Sequence, residues 1–189
     1  MKTNKLRNAF LIAGFCLFNT EAGKPFLIGP GASIKFSVSH SGDRLVLALG
    51  KNVTVGIDIE KKNSTQDLDV AEHVFSPQEL AELYALPTLE QNSAFFKGWT
   101  QKEAFVKALG IGLSYPLKSL TVSLNPKENG RVVQIDQQDQ EYLQHWEMQC
   151  LDIHSDYACS LFFEQSLTSS PVSYRIIPFY LEVAHGKIN

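Results

Sequence analysis

The sequence predicts an α+β protein in which an antiparallel sheet packs on one long helix. Three short β-rich runs occupy the first third of the chain, one long helical pattern follows, and five further β-rich runs come after it. The 189 residues suffice for one large domain with a buried core. We expect a short N-terminal segment at 1–33 and the main domain at 34–189.

The composition excludes several classes of protein. With 17 Lys and Arg against 20 Asp and Glu, the net charge is −3, which gives no overall attraction for nucleic acid or an anionic membrane. No apolar run approaches the roughly 20 residues of a membrane span. The cysteines, Cys16, Cys150 and Cys159, form neither an even set nor a C-x-x-C pair, which indicates reduced thiols. We therefore expect a cytoplasmic protein without nucleic-acid or membrane partners.

The N-terminal segment has two interpretations. Basic residues precede the apolar stretch at 9–18, and small residues near 20–22 fit a cleavage site, as in a secretory signal peptide. In that case the mature chain begins near Gly23 and is a secreted β-rich binding protein, which N-terminal sequencing would reveal. The alternative is a buried amphipathic helix. Its apolar residues are spaced by three and four: Leu6, Phe10, Ala13 or Gly14, and Leu17.

The first β-rich runs predict a meander. After a loop rich in Gly and Pro at 26–33, apolar and polar residues alternate at 34–40 as they do in a strand. Two more runs, 45–49 and 53–59, follow after short turns. Consecutive strands with tight connections favour antiparallel pairing between neighbours.

Two helices are predicted in the middle of the chain. Ser76, Pro77 and Glu79 have the spacing of a capping box with proline at the first helical position, so a helix begins there and runs to about residue 86. A second helix at 89–109 ends at Gly110. It carries Phe95, Trp99, Val106 and Leu109 on one side. The strands predicted after it are 120–124, 132–135, 142–150, 157–163 and 172–180.

Asp58 and Glu60 are candidate metal ligands. They lie two residues apart on a predicted strand, so both carboxylates leave the same face, about 6 to 7 Å apart at the backbone. At about 4 Å and an effective dielectric of about 20, two such charges repel by about 4 kcal/mol. If they are partly buried, a hard divalent cation such as Mg²⁺ would neutralise them. The alternative is that both acids are solvated at the end of a strand.

Glu103 and Lys107 are four residues apart on the long helix and share a face, with Lys102 beside them. Such a pair is commonly a surface ion pair worth about 0.3 to 0.5 kcal/mol. Beside a metal-binding acid pair, however, an acid and a lysine would suit a phosphate ester. His40, at the end of a predicted strand, is either a structural residue or a phosphate ligand.

Four motifs in order carry a family resemblance. They are GKP at 23–25, FSVSHS at 36–41, GIDIE at 56–60 and WTQKEAFVKALG at 99–110. In order and spacing, from about residue 23 to 124, the chain resembles the 4′-phosphopantetheinyl transferases of the surfactin-synthetase-activating type. The smaller trimeric holo-acyl-carrier-protein synthases share K-E-A but do not usually carry the second acid, so Glu60 favours the larger, pseudo-dimeric type.

The resemblance implies a fold and a reaction. The expected fold is the 4′-phosphopantetheinyl transferase fold, and the enzyme would move the phosphopantetheine arm of coenzyme A onto a serine of an apo acyl or peptidyl carrier protein. Adenosine 3′,5′-bisphosphate would leave, and Mg²⁺ would be required. Such a phosphoryl transfer depends mainly on the positioning of the reactants and on neutralisation of charge around the transferred group.

The resemblance also implies roles for individual residues. Asp58, Glu60 and Glu103 would hold Mg²⁺ against the coenzyme A pyrophosphate, and Glu103 would take the serine proton directly or through water. Lys107 would contact the pyrophosphate and stabilise the leaving bisphosphate. Lys24, Ser39 and His40 would hold the 3′-phosphoadenosine end.

The N-terminus departs from the family pattern. Only 39 residues precede His40, whereas family members usually carry a longer region that forms the first of two similar halves. We expect residues 1–33 to be a remnant of that first half, with the apolar stretch as its last helix, and 34–189 to be the catalytic domain. The alternative function is a non-catalytic remnant that binds coenzyme A or carrier protein. Whether the chain is a monomer or a homodimer stays open.

Overall fold

A three-stranded antiparallel sheet and the long helix that packs on it position the candidate site. The computed structural model describes residues 10–12, 15–20, 23–62, 68–112, 115–136, 140–165 and 176–177. The strands are β1 (Phe10–Ile12), β2 (Phe15–Asn19), β3 (Pro25–Ile28), β4 (Ile34–Ser41), β5 (Arg44–Lys51), β6 (Val55–Lys61), β7 (Leu120–Val122), β8 (Val132–Ile135), β9 (Trp146–Cys150) and β10 (Tyr157–Glu164). The helices are α1 (Leu68–Val74), α2 (Pro77–Ala85), α3 (Thr88–Leu109) and α4 (Gln140–Leu143), and a 3₁₀ turn spans Leu117–Ser119. The predicted α+β class is confirmed.

Helix α3 begins and ends within a residue of its predicted bounds. Gly110 takes the left-handed conformation that ends many helices, with φ 66°, and its N–H donates to the Val106 carbonyl at 2.9 Å. One side of α3 contributes to a core of aromatic side chains that includes Phe75, Phe95 and Phe105. Burial of this face stabilises the helix far more than its own propensity does.

The sheet that faces α3 has the strand order β6-β10-β9. In its register Asp58 lies opposite Ser160, whose hydroxyl is 2.8 Å from that of Thr100 on α3. Gly56 allows β6 to approach α3 closely. A Cβ there would run into the backbone of Ala104 and into Ala108. The other face of β6 and β10 packs a second apolar cluster that includes Ile57, Ile59, Tyr157, Leu161 and Phe163.

The predicted three-stranded meander is wrong. β4 and β5 form an antiparallel hairpin, but β6 pairs with β10 instead of β5. About a hundred residues separate these two strands in sequence, and local alternation of apolar residues carries no information about so distant a partner. β4 instead contacts β6 through side chains.

The predicted N-terminal helix at 9–18 is also wrong. Strands β1 and β2 occupy this stretch and pair antiparallel, and β2 pairs in turn with β3, which was expected to be a loop. In an almost uninterrupted apolar run, residues fit helical and extended spacing equally well. The Phe and Ile residues in the run favour the extended form. Pro25 begins β3, a position that a strand tolerates.

The remaining elements agree in part with the predictions. The capping box at the start of α2 is present, since the Ser76 hydroxyl accepts from the Glu79 N–H and the Glu79 carboxylate accepts from the Ser76 N–H. Helix α1 was not predicted. The expected strand at 142–150 is shorter, because α4 includes its first two residues and β9 begins at Trp146. The strand expected at 172–180 lies, apart from 176–177, outside the described residues. No helix within the described ranges is long and apolar enough to span a membrane.

Candidate active site

A row of serines on β4 holds β6 in place. Alternation along β4 turns Ser37, Ser39 and Ser41 to the same side. The Ser37 hydroxyl accepts from the Ile57 N–H at 3.1 Å, and the Ser41 hydroxyl accepts from the Lys61 N–H at 3.0 Å. These hydroxyls therefore satisfy amides of β6 that a neighbouring strand would otherwise satisfy.

The same serines hold the two predicted acids. Ser39 donates to Asp58 Oδ1 at 2.8 Å, and Ser41 donates to Glu60 Oε2 at 2.8 Å. Asp58 and Glu60 thus leave one face of β6, as the spacing of two residues predicts. Asp58 is buried and Glu60 is half-buried, so the alternative of two fully solvated acids is wrong.

Lys107 on α3 is the charged partner of Asp58. Its Nζ lies 2.6 Å from Asp58 Oδ1 and donates to Ser39 Oγ at 2.9 Å. The sequence had left open a surface pair between Lys107 and Glu103, but the ammonium is bound across the site to β6. The second oxygen of Asp58, Oδ2, is buried and has no hydrogen-bond partner among the described residues.

The three candidate carboxylates influence one another. Burial raises the pKa of Asp58, while Lys107 and the hydrogen bonds lower it in part. Burial, and to a lesser degree Asp58, also raises the pKa of Glu60. The Glu103 pKa is raised by burial and then by the charges of Asp58 and Glu60, against an opposing effect of Lys107. Burial is the largest cause in all three cases, so the surroundings of these acids disfavour their charged forms.

A cavity of about 240 Å³ opens beside these groups. It lies between the C-terminal part of α3, the start of β3 and the middle of β4. Charged and apolar side chains both line it, which is typical of a small-molecule site. Its lining is Gly23, Lys24, Pro25, Phe36, Ser37, Val38, Glu103, Val106, Lys107, Gly110 and Gly112.

Lys24 reaches this cavity from the N-terminal side. Its Nζ donates to the Ala108 carbonyl, one of the last carbonyls of α3, where a cation is also favoured by the helix dipole. Burial, followed by the nearby charge of Lys35, lowers the pKa of Lys24. Lys24 therefore stands with Glu103 and Lys107 around one opening.

Ser39 and His40, the other two residues expected at the adenosine end, are not part of the cavity lining. Ser39 is buried beneath the cavity lining, where it is bonded to Asp58 and Lys107. His40 is exposed and, by the alternation along β4, lies on the face opposite to Ser39. The roles of Lys24, Ser39 and His40 toward a ligand stay predictions.

The donor chemistry of the site fits a hard divalent cation. All three candidate ligands are carboxylates, which Mg²⁺ prefers, and the buried Oδ2 of Asp58 is an oxygen in need of a partner. In the part of the chain that the structure describes, however, no group of three acidic, histidine or cysteine side chains is already arranged to hold a metal. Magnesium binding therefore stays a prediction.

Lys102 differs from its neighbours on α3. Its side chain is fully buried, and its Nζ lies 2.7 Å from Glu79 Oε2. The ammonium also donates to the carbonyls of Val74, Leu117 and Leu120. Lys102 thus ties α3 to α1, α2 and β7, and it belongs to the scaffold of the site. The signal was present in the sequence, because residue 102 fills the gap in the apolar stripe between Trp99 and Val106.

Three further residues of the site were not predicted. Ser37 and Ser41 hold β6, and Gly56 brings it close to α3. The alternation of serines along 37–41 could have identified the first two. Gly56 begins the GIDIE motif, but the motif does not show that its partner is the backbone of a helix about fifty residues away.

The acids and Lys107 of the candidate site lie in a stretch that matches a known family. The sequence profile of the 4′-phosphopantetheinyl transferase superfamily matches residues 54–162, which include the three candidate carboxylates and Lys107. The chain belongs to the 4′-phosphopantetheinyl transferase superfamily. The resemblance seen in the motifs is therefore confirmed.

Curated relatives in this superfamily include enzymes of Bacillus. The 4′-phosphopantetheinyl transferase of Bacillus pumilus is 43% identical over 110 residues, which is 58% of this chain and 46% of the relative. The transferase Sfp of Bacillus subtilis is 39% identical over 112 residues, 59% of this chain and 48% of the relative. The chain thus spans about half the length of the curated relatives it matches.

Solved structures of the superfamily give weaker similarity. The holo-[acyl-carrier-protein] synthase of Thermotoga maritima has a TM-score of 0.47 and 21% identity, covering 59% of this chain and 63% of that chain. A synthase–CoA complex from Chronobacterium ammoniagenes has a TM-score of 0.43 and 20% identity, covering 59% and 95%.

Proposed function

We propose that this chain carries the catalytic part of a 4′-phosphopantetheinyl transferase, which moves the phosphopantetheine arm of coenzyme A to a serine of an apo acyl or peptidyl carrier protein. The observation that carries the proposal is the position of Glu103 and Lys107 on the wall of one cavity, with Asp58 bound to Lys107 behind it. Glu60 and Asp58 are close enough to raise the pKa of Glu103, and all four residues lie within the segment that matches the superfamily. These residues come from a strand and a helix that the fold brings together through Gly56.

The proposed reaction is a phosphoryl transfer. The serine oxygen forms a bond to the phosphorus that carries the pantetheine arm, and the bond from that phosphorus to the bridging oxygen breaks. Adenosine 3′,5′-bisphosphate leaves with the electron pair, and the serine proton passes to a base. Catalysis then depends on positioning and on neutralising the charge that develops on the phosphate oxygens.

Glu103 suits the role of the base. It lines the cavity, and burial together with Asp58 and Glu60 raises its pKa toward the range in which a carboxylate accepts protons readily. Its position four residues from Lys107 places acid and cation on the same face of α3.

Lys107 and Lys24 would receive the anionic parts of coenzyme A. Both line the cavity, and each ammonium has three N–H donors, of which Lys24 uses one on the Ala108 carbonyl. Mg²⁺, held by Asp58, Glu60 and Glu103, would supply further charge neutralisation at the diphosphate.

The direct experiment incubates the protein with apo carrier protein, coenzyme A and Mg²⁺ and measures the carrier by intact mass spectrometry. We expect a gain of one phosphopantetheinyl group per carrier. Asp58→Asn should abolish the gain, while Asp152→Asn, which removes an exposed carboxylate from the β9–β10 connection, should not. An unmodified carrier beside a working control transferase would refute the activity.

Coenzyme A binding is measured separately by calorimetry. Lys24→Ala should weaken this binding and affect turnover of the saturated enzyme much less. A variant with unaltered affinity but reduced turnover would contradict the role given to Lys24. Binding of coenzyme A without any carrier modification would favour the alternative of a non-catalytic binding protein.

A further inference from the structure

Lys107 and Lys102 lie on the same helix and are bound in different ways. The side chain of Lys102 is 0% exposed, and four oxygens surround its ammonium. The side chain of Lys107 is 31% exposed and lines the cavity, although its partner Asp58 is only 3% exposed. The ammonium of Lys102 is therefore enclosed in the interior, whereas Lys107 is partly exposed to the cavity and binds a buried carboxylate.

Lys107 has an alternative position available to it. The lysine stem is flexible, with four carbons between the backbone and the ammonium. The cavity beside it can take the ammonium if the bond to Asp58 is released. Asp58 Oδ1 would keep the hydrogen bond from Ser39 after this release, so its buried oxygen would not be left without a donor.

Lys107 and a divalent cation would compete for Asp58. Lys107 is bound to Oδ1, while Oδ2 has no partner in the described part of the protein. A cation that took Oδ2 would lie within a few ångströms of the ammonium, and like charges at that distance repel strongly in a partly buried site. Glu60 and Glu103 interact electrostatically with Asp58, so one ammonium does not balance the negative charge near it, and a doubly charged ion is favoured over Lys107.

We propose that Lys107 occupies the place of a metal ion at Asp58. It pairs with Asp58 in the metal-free protein, and it moves away when a divalent, oxygen-preferring ion binds. The released ammonium then lies in the cavity, where the proposed diphosphate would meet it. Metal binding thereby prepares the cavity for an anion. This inference rests on the proposed function for its purpose, but the exchange itself is a property of the side chains alone.

The test measures binding of Mn²⁺ alone, without coenzyme A or carrier protein, by calorimetry and by the paramagnetic signal of the free ion. Lys107→Met should bind Mn²⁺ at least fivefold more tightly than the wild-type protein, because the competing charge is gone. Lys107→Arg, which keeps the charge, should stay within about twofold of wild type. Lys127→Met removes an exposed lysine from the β7–β8 connection and should change nothing.

Further variants locate the ion. Asp58→Asn, alone or combined with Lys107→Met, should lose most of the affinity. Equal or weaker binding of Mn²⁺ by Lys107→Met would overturn the proposal, as would the absence of binding in every variant. Circular dichroism establishes whether each variant is folded. If Lys107→Met is not folded, Lys107→Gln is used in its place. Because the carrier assay is separate, tighter metal binding without transfer would uphold the exchange and refute only the function.

Discussion

Replacing Lys102 with methionine should destabilise the protein strongly. The change removes a buried ammonium and leaves the Glu79 carboxylate, also fully buried, without its counter-ion. It also removes the donor to the carbonyls of Val74, Leu117 and Leu120. The methionine side chain has similar length, so the perturbation is electrostatic and leaves no large cavity.

The expected loss follows from the burial of both partners. Removing one member of a buried ion pair typically costs about 3 to 5 kcal/mol of unfolding free energy. A natural domain has roughly 5 to 15 kcal/mol in total, so Lys102→Met should be marginally folded. Lys118→Met, at an exposed lysine in the 3₁₀ turn, should change the unfolding free energy by no more than about 0.5 kcal/mol.

Urea unfolding followed by far-UV circular dichroism measures these free energies. The double variant Lys102→Met/Glu79→Gln should lose less unfolding free energy than the two single variants lose together, by at least about 1 kcal/mol. The reason is that no unpaired charge stays buried in the double variant. The Ser76 N–H donates to one oxygen of Glu79 and the Val122 N–H to the other, so glutamine keeps an acceptor for only one of these amides. A loss below about 1 kcal/mol for Lys102→Met, with an unchanged denaturant slope, would refute the reasoning.

Three further predictions concern the site and the sheet. Glu103→Gln should abolish transfer. It should also stabilise the metal-free protein at pH 7, by at most about 1 kcal/mol because the group is partly exposed. Since the pKa of Glu103 is raised in the folded state, this gain in unfolding free energy should shrink as the pH falls toward the ordinary pKa of 4.5. Gly56→Ala should cost roughly 1 to 3 kcal/mol in thermal unfolding, because its Cβ would overlap the backbone of Ala104 and force β6 away from α3. Cys159 should resist iodoacetamide at pH 8 in the native protein, because burial raises its pKa to about 12.

Each of these predictions has a contrary outcome. If Glu103→Gln is less stable than wild type at pH 7, the carboxylate does not destabilise the folded state. The same follows if the stability gained by the variant increases as the pH falls. Unchanged thermal unfolding of Gly56→Ala would mean that the two elements are not in close contact. Rapid alkylation of Cys159, mapped by peptide mass spectrometry, would contradict its burial.

Much of the site could be predicted from local patterns. The spacing of two residues places Asp58 and Glu60 on one face of a strand, and the spacing of four places Glu103 and Lys107 on one face of a helix. Both statements depend only on the repeat of the backbone, so no knowledge of distant partners is needed. The capping box and the glycine end of α3 are local in the same sense.

Partners distant in sequence could not be predicted in this way. The pairing of Lys107 with Asp58 joins positions 49 residues apart, and the pairing of β6 with β10 joins strands separated by about a hundred residues. The apolar stretch that forms β1 and β2 shows the related ambiguity, since its composition suited a helix as well as strands. In each case the deciding contact lies outside the window in which a periodic pattern is visible.

The sequence by itself determined which chemical groups are present and which of them share a face, because these follow from residue type and backbone repeat. The tertiary structure decided that Asp58 is buried, that Lys107 is bound to it, and that Lys102 serves the scaffold although it stands next to Glu103. Burial and charge pairing depend on which surfaces pack together, as β6 packs on α3 at Gly56. Those surfaces meet only when the whole chain has folded.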